Sequence, residues 1–74
     1  MPPLRQLRRL KGWTQQELAD AAGLALDTIS DLERGAREPR PHTMRRIAQA
    51  LGVRIQDITE FVQERPKAVD DGGG

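Results

Sequence analysis

Apolar positions recur along this chain at helical spacing, in short runs that each stop at a glycine or a proline. Leu4, Leu7 and Leu10 mark one face of a first helix that starts behind Pro2 and Pro3 and ends at Gly12. Leu18, Ala19 and Ala22 form the buried face of a second helix over about 15–22. Leu24, Ile29 and Leu32 give an apolar seam to a third, over about 26–34. After a loop at 36–40, fixed by Pro39, Met44, Ile47, Ala48 and Leu51 fall at i, i+3, i+4 and i+7 behind Pro41. Gly52 stops that fourth helix, and Val53 tucks back as the apolar residue after it. Ile55, Ile58, Phe61 and Val62 predict a fifth helix, stopped by Pro66. No segment alternates with period two, so the expected fold class is all-α, a compact five-helix bundle. Its domain is 1–65, and 66–74 is an acidic, glycine-rich tail expected to be disordered. The predicted core is Leu4, Leu7, Trp13, Leu18, Ala22, Leu24, Ile29, Leu32, Met44, Ile47, Leu51, Val53 and Ile58.

The second and third helices carry the strongest local signals. Thr14 with Glu17 three residues on is a T-x-x-E capping box, and Trp13 with Leu18 is placed for the hydrophobic staple. Gly23 supplies the left-handed residue that ends the second helix. Helix, tight glycine turn, helix is the layout of a helix-turn-helix, whose second helix can enter a DNA major groove.

Composition narrows the function classes. The chain has 74 residues, one domain near the lower limit for a stable single core. It has no cysteine, so neither disulfides nor thiolate zinc sites can staple it. No apolar run approaches the roughly 20 residues that span a bilayer, and no signal-peptide pattern opens the chain, so a cytoplasmic protein without membrane contact is expected. His42 is the single histidine, which leaves no metal site, and no acid, serine or histidine arrangement supports catalysis. No enzyme activity, cofactor or small-molecule substrate is expected.

Twelve basic against eleven acidic side chains leave a net charge of +1, but the layout is uneven. Residues 1–11 hold Arg5, Arg8, Arg9 and Lys11 and no acid. Residues 17–33 hold five acids and no base. From 34 to 54 six arginines face Glu38 alone. Such blocks give the molecule a basic side, which suits contact with phosphates.

The runs Q-Q-E-L-A-x-x-A-G-L (15–24), T-I-S-x-L-E-R-G (28–35), Pro39 and I-A-x-A-L-G-V (47–53) together resemble the helix-turn-helix family of Cro and the phage repressors. The likeness runs from about Leu4 to Phe61. It implies that the exposed face of the third helix reads bases, which here means Leu26, Asp27, Thr28 and Asp31, with Ser30 beside them. It also implies that Thr14 and Gln15 lie against the DNA backbone, and that Arg8 and Glu33 form a partly buried ion pair tying the first helix to the end of the third. Arg34, Arg37 and Arg40, at the end of the recognition helix and in the loop after it, are placed for flanking phosphates.

The third helix departs from the pattern of good base readers, since it presents aspartates where Arg, Lys, Asn or Gln would make bidentate contacts. Asp27 has two readings. One is a carboxylate stabilising the first turn behind Ala25, which cannot cap; the other is a base reader. Asp31 either pairs with Arg34 at i+3 or accepts from a cytosine amino group. The leading expectation is a sequence-specific transcriptional regulator, a repressor, that binds double-stranded DNA at a palindromic operator as a homodimer through Ile55, Phe61 and Val62. The acidic third helix keeps open a second class, a protein-binding module on the same fold, such as an antitoxin or the partner of another regulator.

Overall fold

The computed structural model describes residues 2–62. They form four α-helices, α1 (Leu4–Leu10), α2 (Gln15–Ala22), α3 (Leu26–Arg34) and α4 (Pro41–Leu51), then two 3₁₀ turns at Ile55–Asp57 and Thr59–Phe61. The domain boundary expected at residue 65 and the tail at 66–74 lie outside the described residues.

Local chemistry explains where α2 and α4 begin and where α2, α3 and α4 end. The Thr14 hydroxyl accepts from the Glu17 amide at 3.1 Å, and the Glu17 carboxylate accepts from the Thr14 amide at 2.7 Å. Both halves of the capping box are therefore made. Gly23, Gly35 and Gly52 each sit in the left-handed region at the helix ends, with φ of 70°, 75° and 74°. The amide after each glycine turns back onto the helix, Leu24 to the Ala19 carbonyl, Ala36 to Asp31 and Val53 to Ala48. Pro41 opens α4 with its ring in the first turn, where a missing N–H costs nothing.

The buried core joins Leu4 of α1, Leu18, Ala19 and Ala22 of α2, Ile29 and Leu32 of α3, Ile47, Ala48 and Leu51 of α4, and Ile58 between the 3₁₀ turns. Leu7, Trp13, Leu24 and Val53 pack against it while half-buried, and Met44 is also half-buried. Helix α2 is central, packing on both α3 and α4.

Two expectations are corrected. Leu10 does not join Leu4 on the inner face; it is 75% exposed. At 3.6 residues per turn an i, i+3, i+6 row drifts by about 120° over six residues. In a seven-residue helix the inward position one turn after Leu4 falls to Arg8 instead.

The second correction concerns the fifth helix. Ile55, Ile58 and Phe61 recur every three residues, a spacing that suits 3₁₀ turns as well as an α-helix. Ile58 is extended, with φ of −109° and ψ of 122°, and it splits the stretch into two turns. The Thr59 amide, which an α-helix would direct to Ile55, donates instead to the Pro2 carbonyl at 3.0 Å. A bond to the opposite end of the chain thus replaces an α-helical one.

That contact is reciprocated. Helix α1 has Pro3 at its N-cap and no side-chain cap of its own. The Leu4 amide donates to the Glu60 carboxylate at 2.7 Å, so α1 is capped from 56 positions away. A carboxylate here also faces the positive end of the helix. Glu60→Ala is expected to lower stability by about 1 kcal/mol, the usual cost of a lost N-cap. Urea denaturation would measure it, and a midpoint equal to the parent's would show that the cap contributes nothing.

Candidate nucleic-acid interface

The end of α3 is tied to α1 and α2 by a network around Glu33. Arg8 Nε donates to Glu33 Oε2 at 2.7 Å and Nη2 to Oε1 at 3.1 Å, a two-point ion pair. Both side chains are nearly enclosed, at 10% and 5% exposure. Arg8 Nη1 donates to the Trp13 carbonyl at 2.8 Å, and the Gln15 amide donates to Glu33 Oε1 at 3.0 Å. Burial alone would raise the Glu33 carboxyl, but the Arg8 and Gln15 hydrogen bonds and the charges of Arg8 and Arg5 outweigh it, and the group titrates below its ordinary value. The expected ion-pair partners are therefore together. Gln15, expected against a phosphate, spends its side chain on holding the start of α2 to the end of α3.

Thr14 is exposed, with its hydroxyl occupied by the capping box. The capping box also takes the Thr14 and Glu17 amides, which leaves the Gln15 and Gln16 amides as the first-turn N–H groups of α2 without an intrahelical partner. Those groups are the kind that receive a phosphate at a helix N-terminus.

Along α3, Asp27 is exposed, Leu26 is 40% exposed, and Thr28 and Ser30 are half-buried. Ala25 at the N-cap makes no side-chain bond, which leaves Asp27 as the acid of the first turn. Asp31 is engaged on both oxygens. Oδ1 accepts from Arg34 at 2.6 Å and Oδ2 from Arg37 at 3.1 Å. The Arg34 and Arg37 hydrogen bonds hold this carboxyl below the usual aspartate range.

Beyond Gly35 the chain doubles back, and Arg37, Arg40, Pro41 and His42 line an open hollow beside α3, facing Leu24 and Thr28. Arg40 is exposed at the N-cap of α4. The arginine loop thus stands beside α3, whose end is tied to the start of α2 through Glu33 and Gln15. Ile55 and Phe61 lie half-buried against the core, while Val62 is 37% exposed. No described helix is long and apolar enough to cross a membrane, and no group of His, Cys, Asp or Glu among the described residues is placed to hold a metal.

Three contacts were not legible in the sequence. Arg37 reaches Asp31 at i+6, across a helix end, where no helical pairing rule applies. Gln15 and Glu33 stand 18 positions apart and carry no shared local signal. Arg46 donates to the Gly23 carbonyl at 3.4 Å, pinning α4 to the turn after α2. An arginine next to a left-handed glycine end is a weak cue for that last contact.

A helix-turn-helix family profile matches residues 4–58. An uncharacterized HTH-type transcriptional regulator of Sinorhizobium fredii is 41% identical over 61 residues, spanning 82% of this chain and 79% of that protein. The HTH-type transcriptional regulator DdrOP3 of Deinococcus deserti is 35% identical over 60 residues, 81% of this chain and 46% of its own length. The competence pilus inhibition repressor of Acinetobacter baylyi is 36% identical over 55 residues, 74% of this chain and half of that protein.

Proposed function

The chain belongs to the helix-turn-helix family of Cro and the phage repressors, and on that premise we propose that it is a sequence-specific DNA-binding transcriptional regulator. In this reading it is a cytoplasmic repressor that binds a palindromic operator as a homodimer, with α3 in the major groove. The observation that carries it is the hollow in which Arg37 and Arg40 stand beside Leu24 and Thr28 of the helix-turn-helix, with Gln15 at the start of α2 tied to Glu33 at the end of α3. Base contacts are assigned to Leu26, Asp27, Thr28 and Ser30, and phosphate contacts to the first turn of α2 at Thr14 and Gln15 and to the three arginines. The acidic surface that favours a protein-binding module is reduced, because Asp31 is neutralised by two arginines.

One recognition helix reads only a few base pairs, so two symmetric copies one helical turn apart give useful specificity. Selection from a random duplex library with the purified chain tests the reading. Recovery of a two-fold symmetric sequence is expected; no enrichment at low salt would remove DNA as the partner.

The dimer surface is assigned to the C-terminal turns, with Val62 as the exposed apolar residue and Ile55 and Phe61 supporting it from the core side. Val62→Glu is expected to shift sedimentation from dimer to monomer with the helical spectrum intact. Unchanged sedimentation would move the two-fold axis elsewhere.

A further inference from the structure

We infer that Asp31 is a positioning residue, whose carboxylate clamps Arg34 and Arg37 in the orientation in which they receive DNA phosphates. This rests on the DNA-binding reading above and deepens it, assigning a role to an acid on a surface that meets a polyanion.

The geometry makes Asp31 the hub of the turn after α3. Its backbone carbonyl accepts from Ala36 at 2.8 Å, where the chain reverses through the left-handed Gly35. Its two carboxylate oxygens take Arg34 from the last turn of the helix and Arg37 from the returning loop. Each arginine gives a single Nη2 contact, and a guanidinium has further N–H donors to offer a second acceptor. The arginine side chains stay exposed at 65% and 47%, whereas the carboxylate between them is 26% exposed. One carboxylate against two guanidiniums leaves the group net positive toward solvent. Exposed ion pairs do little for the stability of a fold. What this one does is restrict two long side chains before any ligand arrives, which lowers the ordering entropy lost on binding.

A bystander carboxylate would behave in the opposite way, since its removal takes a negative charge away from DNA. A base-reading carboxylate would have to release an arginine to accept from a cytosine amino group.

The sign of one mutation separates these cases. Asp31→Ala, in the full chain, is measured against a duplex selected by the parent protein from random sequence, across a range of salt. The expected result is binding weakened about fivefold to tenfold at every sequence, with a shallower salt dependence and an unchanged melting midpoint. In an Arg34→Ala/Arg37→Ala background the same change should no longer weaken binding, because there is nothing left to position. Tighter binding by Asp31→Ala, an additive effect in the arginine-free background, or a loss confined to one base position would each overturn the inference while leaving DNA recognition standing. Failure of the parent itself to bind any duplex at low salt would overturn both.

Discussion

Glu33→Gln is expected to cost about 3–5 kcal/mol of stability, the usual consequence of removing one partner from an enclosed ion pair. The substitution leaves the Arg8 guanidinium, 8% exposed as a residue, facing an amide in place of a carboxylate. The amide keeps one acceptor oxygen and turns an NH2 group toward the remaining donors, so at least one of the three contacts to Glu33 is lost. Domains of this size hold only a few kcal/mol in reserve, so the variant should melt roughly 15 °C or more below the parent. Arg8→Met should be damaging in its turn, because it strands Glu33 and takes a donor from the Trp13 carbonyl. The double variant should recover part of the loss, since two uncharged side chains in the same space leave no buried charge. Thermal melts of the two singles and the double give the coupling directly; strictly additive losses would mean that the side chains do not interact.

The same pair sets a pH dependence. The folded-state Glu33 carboxyl titrates below its ordinary value of 4.5. Its contribution is thus complete above that value and is lost as pH falls through the lowered one. The gap in stability between the parent and Glu33→Gln should therefore hold constant near neutrality and narrow as pH falls below 4.5. A gap that widened on acidification would contradict a carboxylate favoured in the folded state.

Replacing Arg34, Arg37 and Arg40 together by alanine is expected to have the largest effect on binding. Each phosphate neutralised contributes about 0.9 to the slope of log K against log salt. Removing three should flatten that slope by about 2.7 units. Taking about 1.4 kcal/mol for each charge-assisted contact, affinity at moderate ionic strength should fall about a thousandfold. Sequence preference should survive, because phosphate contacts position a protein without reporting base identity. Stability should change little, since Arg34 and Arg37 are exposed and the acid they share is itself near the surface. Titrations at several salt concentrations on the selected duplex and a single-base-substituted set measure both properties. An unchanged slope would take the loop out of the interface.

The start of α2 and the ends of α2, α3 and α4 were legible because they are decided by residues a few positions apart. Thr14 with Glu17, and the glycines at 23, 35 and 52, act through bonds that close within one turn. The family's motifs are readable for the same reason, being the traces of caps, turns and an apolar stripe. Those motifs also brought Arg8 and Glu33 together, which periodicity could not do across 25 positions.

The region after Gly52 was not legible, because apolar residues three apart fit two kinds of helix equally well. The choice fell to the Pro2 carbonyl and the Leu4 amide, which take Thr59 and Glu60 as partners and draw the stretch into 3₁₀ turns. The acidic third helix shows the same division. Sequence alone placed Asp31 beside Arg34, one turn on, and left its role open. Only the reversal of the chain at Gly35 brings Arg37 to the second oxygen and converts an apparent obstacle to DNA into a charge held between two cations. Local hydrogen bonds and helical period are properties of neighbouring residues, and a sequence determines them directly. Partners 18 to 56 positions apart depend on where the packed core sends each helix end, and that is decided only when the whole domain folds.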